Sequence, residues 1–363
     1  MDVDTLIVGG GIAGASLGAE IAASRPTLIA EAEAHCGYHS TGRSAAFFLE
    51  SYGGPDVARL NAASFPFLSA PPAELGEASF LRARGALHIS DGTTAPHWPS
   101  GSGLRAVDRT ELESWLPGLR PKWRVGLFEP SCADIDVARL HGAFLRLFRS
   151  MGGQVRTNAC VASAIRMGSQ WRVQFEDGQF LTVKTLVNAA GAWSDEVAVR
   201  AGVDPIGIQP KRRTMVQLRV GKGGLKDLPL VIDAAETFYF KGEGDRTIWL
   251  SPHDEIDCAP CDAAPEEVDV ALAIHRFQDV VDWPVEAVER RWAGLRSFSP
   301  DRRPVYGFDP SAEGFFWCAG QGGFGIQSCV AAARLAASEL TGDPPHRSLA
   351  GVDPERFAPG RFR

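Results

Sequence analysis

The stretch Thr5 to Gly14, TLIVGGGIAG, contains a strand signal, a tight turn and the beginning of a helix. Thr5 to Val8 is a short apolar run rich in β-branched residues, which is typical of a buried parallel strand. Gly9 permits the tight turn, Gly11 lets a pyrophosphate approach the backbone, and Gly14 lets the helix pack against the strand. The small residues that follow predict a helix whose positive amino-terminal end faces phosphate.

A second strand and an acidic residue follow at the spacing of a dinucleotide site. Thr27 to Ala30 is the second apolar run, and Glu31 stands twenty residues beyond Gly11. A carboxylate at the end of this strand accepts both hydrogen bonds of a ribose diol and repels a 2′-phosphate. We therefore predict a dinucleotide-binding unit. A glycine-rich turn without a ligand is the alternative that these residues leave open.

Two further segments of small residues extend this unit. The loop Gly37 to Ala46, GYHSTGRSAA, carries hydroxyl groups and one arginine. This composition suits a loop along a pyrophosphate and toward a flavin ring, although an ordinary polar loop has it too. Near the other end of the chain, Gln321 to Gln327 has the sequence QGGFGIQ. A cofactor gripped from both ends of the chain is typical of FAD enzymes rather than NAD enzymes.

Composition and charge narrow the class of protein. The chain has 363 residues, enough for two lobes, with 45% hydrophobic and 22% charged residues. A formal charge of -7 argues against a basic surface for nucleic acid or a polybasic membrane patch. Seven cysteines, an odd number, indicate reduced thiols, and the acidic start Met1 to Asp4 is unlike a signal peptide. We expect a cytoplasmic protein with no transmembrane segment, and peripheral contact with the inner membrane stays open.

The middle of the chain alternates helix and strand signals. Asp136 is predicted to cap the beginning of a helix with one buried face. Val155 to Val161 and Trp171 to Phe175 are predicted strands, the second followed by a hairpin turn at Glu176 to Gly178. Leu181 to Val187 is predicted to be one further strand.

Several motifs, taken in order along the chain, resemble the D-amino-acid oxidase superfamily. They are the Gly9, Gly11 and Gly14 turn, Glu31, HSTGRSAA (His39 to Ala46), VNAAGAW (Val187 to Trp193), WAGLRSF (Trp292 to Phe298) and GQGGFGIQ (Gly320 to Gln327). Within it, the chain most resembles bacterial FAD-dependent D-amino-acid dehydrogenases of the D-arginine dehydrogenase type. The resemblance covers nearly the whole chain. It implies an α/β protein in which a Rossmann-like FAD-binding lobe is interleaved with a mixed-sheet, α+β substrate-binding lobe.

The same resemblance implies domain boundaries and cofactor contacts. Residues 1–50, 134–203 and 300–363 would form the FAD-binding domain, and residues 51–133 and 204–299 the substrate-binding domain. The residues implied to contact FAD are Gly9, Gly11, Ile12, Ala13, Gly14, Glu31, Ala32, Ser40, Thr41, Gly42, Arg43, Ser44, Ala45, Ala46, Val161, Ala190, Gly191, Trp193, Gly322, Gly323, Phe324, Gly325, Ile326 and Gln327.

Two arginines are candidates for binding a substrate carboxylate, because a guanidinium offers a bidentate fork that lysine lacks. By resemblance, Arg213 and Arg296 clamp the carboxylate of an amino acid. From the residues alone, Arg213 could equally belong to a solvated basic edge with Lys211 and Arg212. Arg296 stands in an apolar stretch, where a charge needs a partner, and a ligand would supply one.

The resemblance also implies that two tyrosines and two residues of the carboxy-terminal motif face the substrate. Tyr52 and Tyr239 would line the pocket and hydrogen-bond the carboxylate, although each could instead be a core tyrosine. Gly323 would present its carbonyl to the substrate amine, and Gln327 would lie near the flavin at the end of the substrate.

Two departures from the family pattern bear on the substrate side chain. Members that prefer basic substrates have an acid where this chain has Gly85 and a histidine where it has Phe47. A guanidinium would lose its partner there, whereas Phe47 and Phe48 offer apolar surface. We therefore expect neutral, apolar or aromatic D-amino acids to be preferred.

Other signals predict little chemistry. Cys258 and Cys261 form a single CxxC pair, which lacks the second half of a zinc site, so no metal is expected. The sarcosine-oxidase branch ties its flavin to a cysteine near the stretch equivalent to Trp292–Asp301, which has none here, so FAD is expected to be non-covalent. His39 could touch the cofactor, and His141 is expected on a helix surface.

These expectations combine into an FAD-dependent D-amino-acid dehydrogenase that passes electrons to a quinone or a similar acceptor. Its partners would be a small amino-acid substrate and that acceptor. One alternative is an oxidase of glycine, sarcosine or another secondary amine that releases hydrogen peroxide. A second alternative is an FAD-binding subunit without turnover, against which the paired arginines argue.

Overall fold

The computed structural model describes residues 3–92 and 103–363, so Met1 and Asp2 of the acidic start lie outside it. The strands, in chain order, are β1 (Thr5–Val8), β2 (Thr27–Ala30), β3 (Phe47–Phe48), β4 (Leu81–Ala83), β5 (Ala86–Ser90), β6 (Arg105–Val107), β7 (Val125–Glu129), β8 (Ala133–Ile135), β9 (Gln154–Arg156), β10 (Val161–Met167), β11 (Gln170–Phe175), β12 (Phe180–Val183), β13 (Thr185–Asn188), β14 (Gln209–Val220), β15 (Leu230–Asp233), β16 (Tyr239–Gly242), β17 (Thr247–Ser251), β18 (Ile256–Asp257), β19 (Val285–Phe298), β20 (Val305–Phe308), β21 (Phe315–Ala319) and β22 (Gln321–Gly322). The α-helices are α1 (Ile12–Ile21), α2 (Gly54–Ser69), α3 (Arg109–Trp115), α4 (Val137–Ser150), α5 (Ser194–Arg200), α6 (Glu267–Gln278) and α7 (Cys329–Thr341).

A six-stranded sheet carries the amino-terminal turn. Its order is β20-β21-β13-β1-β2-β9, with β1 parallel to both β13 and β2 and only β20 antiparallel to its neighbour. All four residues of β1 are buried, as a strand that is covered on both faces requires. Ile7 lies in the core with α1, α4 and α7, whereas Leu6 and Val8 lie in a core shared with β10, β11 and α5. Helices α1, α4 and α7 bury their apolar residues against this sheet. The predicted β1, α1 and β2 are confirmed, as is the cap of α4, where the Asp136 carboxylate accepts from the Arg139 N–H at 3.0 Å.

A second, ten-stranded sheet has the order β22-β19-β14-β17-β16-β15-β5-β7-β6, with β18 paired to β14. Its longest pairing joins β14 and β19, which run antiparallel over most of their lengths. Helices α3 and α6 pack against one face and close a second hydrophobic core. Two three-stranded sheets, β10-β11-β12 and β3-β8-β4, complete the mixed α/β fold, which is the predicted fold class.

The two large sheets follow the interleaving that the sequence predicts. Strands of the six-stranded sheet fall within 1–50, 134–203 and 300–363, and most strands of the ten-stranded sheet fall within 51–133 and 204–299. Helix α2 is an exception in its packing, because its Leu60 and Leu68 join the core of the first sheet. The domain boundaries themselves stay predictions.

Two strand predictions are wrong in a way that matters for the fold. The run Val155 to Val161 is divided between β9, in the six-stranded sheet, and β10, in a small antiparallel sheet. The run Leu181 to Val187 is likewise divided between β12 and β13. Thr157 and Asn158 lie between β9 and β10, and Lys184 lies between β12 and β13. Polar residues also occur within half-buried strands, so they do not by themselves signal a change of sheet. The Trp171 to Phe175 strand and its hairpin turn are confirmed.

Among the described residues, no helix combines the length and the apolar character needed to cross a membrane.

Candidate active site

Three glycines bring the end of β1, the start of α1 and the turn between them close together. Gly9 has a φ of +107°, and a Cβ there would lie 2.4 to 3.2 Å from backbone atoms of Ala189 and Ala190. A side chain at Gly14 would collide with the Gly9 carbonyl, so this glycine sets how closely α1 packs on the turn. Gly11 faces open space apart from Thr41, whose hydroxyl oxygen accepts the Ile12 N–H at 3.0 Å.

Glu31 closes the turn from the end of β2. One oxygen of its carboxylate accepts the Gly10 N–H and the other the Glu33 N–H, both at 2.9 Å. His141 on α4 supports the same turn, because its Nε2 lies 2.9 Å from the Gly10 carbonyl oxygen. The expectation that His141 is on a helix surface is wrong: it is buried on the face of α4 that packs against the turn, and burial lowers its pKa.

The loop that follows Glu31 ties the two sheets together. Ser40 donates to the Leu295 carbonyl on β19, and the Arg43 guanidinium donates to the carbonyls of Ala263 and Ala293. The Arg43 side chain also pairs with Asp262. The loop passes close to β19 at Gly294, where a Cβ would be in ordinary van der Waals contact with the Cβ of Arg43, at 3.4 Å.

One cavity of about 1030 Å³ extends from this turn to the ten-stranded sheet. It is at the upper end of the range for small-molecule sites, which suits a long ligand or two adjacent ligands. The predicted cofactor residues that line it are Gly9, Gly11, Ile12, Ala13, Glu31, Ala32, Ser40, Thr41, Arg43, Ser44, Ala45, Ala46, Val161, Ala190, Gly191, Trp193, Gly322, Gly323, Phe324, Gly325, Ile326 and Gln327. Gly14 and Gly42 do not line the cavity, and both instead sit against backbone, next to the Gly9 and Gly37 carbonyls respectively.

The far end of the cavity contains the two predicted arginines. In the β14–β19 ladder, Arg213 pairs with Gly294 and Lys211 pairs with Arg296. Arg296 is therefore two residues beyond the partner of Arg213, and the two side chains share one face as diagonal neighbours. Their side chains are only 8% and 11% exposed. Burial lowers the pKa of Arg213, and the charge of Arg296 lowers it further.

Lys211, Arg212 and Arg213 on β14 have different partners. They therefore do not form the solvated basic edge that the sequence left open. Lys211 pairs with the exposed Asp257, and Arg212 reaches Asp269 and Glu266. Arg213 donates from Nε to the Asp254 carbonyl at 2.7 Å and from Nη2 to Glu255 at 3.4 Å. No hydrogen bond within the described residues uses Arg213 Nη1.

The two predicted tyrosines lie on either side of the arginines. The Tyr52 hydroxyl accepts from Arg296 Nη2, and Asn61, which is fully buried, fixes the Tyr52 loop by donating to its carbonyl at 2.9 Å. The Tyr239 hydroxyl lies 3.2 Å from the Met215 sulfur. Gly323 contacts the Arg296 guanidinium, which would collide with any side chain there.

Of the predicted substrate-pocket residues, Phe47 lines the cavity and Gly85 does not. The Phe47 ring meets that of Tyr239 edge to face, with centroids 5.5 Å apart. Gly85 is buried with a φ of +77°, and a Cβ there would lie 2.6 Å from the Phe128 ring. Sequence reasoning missed His88, which lines the cavity and is bound through Nε2 to Glu129 at 2.9 Å.

Two more residues at the arginine end carry charge or polarity and were missed. Glu255 accepts from Arg296 at 2.9 Å and from the exposed Arg302 at 3.0 Å. His253 lines the cavity, and burial together with the charges of Arg213 and Arg296 lowers its pKa to about 3. These residues follow β17 in the run HDE, His253 to Glu255, and only the strand pairing brings that run beside the arginines.

Gln327 supplies an observation that bears on the cofactor. Its Oε1 accepts the Leu49 N–H at 2.9 Å, while its Nε2, on a side chain that is 3% exposed, has no partner among the described residues. A buried donor without a partner is costly unless a ligand accepts from it. Together with the glycine turn, Glu31 and the length of the cavity, this fits an elongated dinucleotide whose ring system reaches Gln327.

Residues 4–339 match the family described as DAO, FAD dependent oxidoreductase. The chain belongs to this family. FAD is accordingly its cofactor, and the residues around the cavity fit it.

Comparisons with individual proteins agree with the family and differ in their substrates. The chain is 27% identical over 221 residues to the bifunctional protein ThiO/ThiG from Synechocystis sp., covering 60% of this chain and 32% of that one. It is 26% identical over 282 residues to glycine oxidase from Pseudomonas aeruginosa, covering 75% and 73%. Overall, the chain spans about a third to a half of the length of several curated relatives that it matches.

The fold is also that of solved enzymes. L-proline dehydrogenase from P. horikoshii superposes with a TM-score of 0.80 at 18% identity, covering 98% of each chain. At this identity the likeness bears on the fold alone.

The cysteines and potential metal ligands lie apart from this chemistry. Cys258 and Cys261 are free thiols whose sulfurs lie 3.6 Å apart. Of the seven cysteines, Cys160 lines the cavity, next to Val161 at the end opposite the arginines. Among the residues that the structure describes, no cluster of three or more histidine, cysteine or acidic side chains could hold a metal ion.

Proposed function

We propose that this protein catalyses the FAD-dependent oxidative deamination of a D-amino acid to a 2-keto acid and ammonia. The observation that carries the proposal is the pair of buried arginines, Arg213 and Arg296, at the end of the FAD cavity. Two buried guanidiniums that share a face form a fork for one carboxylate. A protein that only stored FAD would have no use for them, because burying charge without function is costly.

In this proposal the chain contributes mainly by orientation. Arg213 and Arg296 hold the substrate carboxylate, and Tyr52 and Tyr239 flank it. Bound FAD supplies the two-electron acceptor for the hydride that leaves the substrate Cα. A substrate fixed at its carboxylate can present Cα in one direction only, and such fixation accounts for much of the rate of a bimolecular reaction.

The amine of the substrate must be neutral, because its lone pair forms the C=N bond as the hydride leaves. The Gly323 carbonyl is proposed to accept one N–H of this amine. His253 is a further candidate: its Nδ1 is bonded to the Glu236 carbonyl, which leaves the Nε2 lone pair as an acceptor. The imino acid formed is then hydrolysed by water.

The substrate side chain is proposed to be neutral, apolar or aromatic. Phe47, Leu49, Met215 and Ile232 line the cavity around the arginines and offer apolar surface. A kcat/KM for D-arginine equal to that for D-phenylalanine would contradict this preference.

The electrons are proposed to pass to a quinone or a similar acceptor, and the protein to reside in the cytoplasm. The second candidate is an oxidase of glycine, sarcosine or another secondary amine, which the similarity to glycine oxidase favours. Hydrogen peroxide formed in proportion to substrate would decide for that oxidase.

The deciding experiment follows the bleaching of the flavin under anaerobic conditions with a panel of D-amino acids, L-amino acids, glycine and sarcosine. Bleaching by apolar D-amino acids alone is the expected result, and admitting air then tests oxygen as the acceptor. Bleaching only by glycine, sarcosine or L-amino acids would overturn the D-amino-acid assignment, and no bleaching by any of them would favour a subunit without turnover.

A further inference from the structure

The carboxylate of Glu255 lies among three arginines at the substrate end of the cavity. Its Oε1 accepts from Arg296 Nη1 at 2.9 Å and from Arg213 Nη2 at 3.4 Å. Both of its oxygens also accept from Arg302 Nη2, at 3.1 and 3.0 Å. The side chain of Glu255 is 28% exposed and that of Arg302 is 52% exposed, so this pair stands between the buried arginines and solvent.

The ion-paired cluster around Glu255 carries one net positive charge. Arg213, Arg296 and Arg302 contribute three positive charges, and Asp254 and Glu255 contribute two negative ones. Asp254 is already engaged, because its carboxylate accepts from the N–H and the hydroxyl of Thr214. One further carboxylate therefore neutralises the cluster, and Arg213 Nη1, which donates to no described residue, is available to bind it.

A second carboxylate on the same ligand would have no cation left. Besides the three arginines, the described basic side chains that line the cavity are Arg43 and Arg200. Arg43 is held by Asp262 and two carbonyls, and Arg200 donates to the Val161 carbonyl at 2.7 Å, at the opposite end. The other acidic residues that line the arginine end, Asp233 and Glu236, would repel it as well.

We propose that Glu255 makes this site selective for ligands with one carboxylate over ligands with two. A monocarboxylate completes the charge balance, whereas the second charge of a dicarboxylate meets Glu255 and finds Arg302 already paired. This inference rests on the proposed amino-acid site and names Glu255 as a specificity-determining residue in it. It also implies that acidic amino acids are poor substrates although three arginines are present.

The test compares succinate with succinamate, which has the same shape but one charge fewer. Dissociation constants for the FAD-loaded protein are measured from the ligand-induced change in flavin absorbance, without turnover. The wild-type protein is expected to bind succinamate more tightly than succinate. In Glu255→Gln, the affinity for succinate is expected to rise at least about tenfold relative to that for succinamate. The reason is that the repelling charge is removed and Arg302 is free to pair with the second carboxylate.

Two further variants make the result decisive. Glu266→Gln removes a carboxylate that pairs with Arg212 outside the cavity and is expected to leave the ratio unchanged. Arg302→Gln, at an exposed position, is expected to shift the ratio further against succinate, and it decides the matter if Glu255→Gln does not fold. If the ratio of the two dissociation constants stays within about twofold of the wild-type ratio in both Glu255→Gln and Arg302→Gln, the selectivity inference is overturned. The proposed carboxylate site would still stand in that case. Failure of both ligands to bind the wild-type protein would overturn the proposed carboxylate site together with it.

Discussion

The two ends of the cavity are built in different ways. The FAD end comes mainly from short stretches near the start of the chain, namely Gly9 to Gly14, Glu31 and the loop 37–46. Glu31 and Thr41 bond to the glycine turn, and Ser40 and Arg43 anchor the loop to distant parts of the chain. The arginine end comes from residues far apart in the chain that meet through the antiparallel register of β14 and β19. Changes at the first end should therefore remove the cofactor, and changes at the second should remove the substrate while FAD stays bound.

The largest effect is expected for Gly9→Ala. This residue has a φ of +107°, and a Cβ would press on the Ala189 carbonyl, so the turn must shift. Strain of about 1–3 kcal/mol at the turn, where it determines FAD binding, predicts FAD affinity lower by about five- to 150-fold and a lower flavin content. The flavin-to-protein ratio after purification measures it. Gly142→Ala in α4, where a Cβ approaches only the end of the Arg146 side chain at 3.3 Å, is the control and should keep its flavin.

The second prediction tests the arginine end of the cavity. Arg213→Met should lower kcat/KM by at least about a hundredfold, because a buried carboxylate would lose its charged partner, while the flavin content stays that of the wild type. Arg219→Met, on the exposed part of the same strand, is the matched control. A loss of flavin in Arg213→Met would contradict the separation of the two ends.

A smaller effect is expected for Tyr239→Phe. Its hydroxyl has the Met215 sulfur as its protein partner, so the ring packing against Phe47 survives the change. The loss of one hydrogen bond to the substrate predicts about a two- to tenfold rise in KM. An unchanged KM for every substrate would show that the Tyr239 hydroxyl does not bind the substrate.

The smallest effect concerns pH and stability. His253 has a pKa of about 3 in the folded protein against 6.5 as the ordinary value, so between these values the unfolded chain binds a proton that the folded chain does not. Stability therefore falls as the pH falls from about 6.5 towards 3. His253→Asn should lose fewer degrees of Tm than the wild type between neutral pH and pH ~5, by a few degrees at most. Parallel Tm profiles would show that His253 titrates normally.

The sequence predicts the FAD end of the cavity better than the arginine end. The glycine turn, Glu31 and the cap of α4 are each specified within a few residues, and all appear where they are expected. The burial of His141 could have been predicted from its position on the apolar face of α4. Its bond to Gly10 could not, because the two residues are 131 positions apart in the chain. The divided runs 155–161 and 181–187 show the converse, because their strand-forming residues predict extended chain but not the sheet in which each part pairs.

The sequence by itself determined the glycine turn and the fold class, because backbone geometry at glycines and strand-to-helix spacing are local properties. The two arginines were predicted from the family resemblance and not from spacing. Only the tertiary structure decided that Arg213 is buried while Lys211 and Arg212 are paired elsewhere, that Gly85 faces Phe128 rather than the cavity, and that Glu255 and His253 join the arginines. The physical reason is that a charge's environment depends on which strands pair and in what register. That register is set by the packing of the whole sheet, not by the residues beside the charge in the chain.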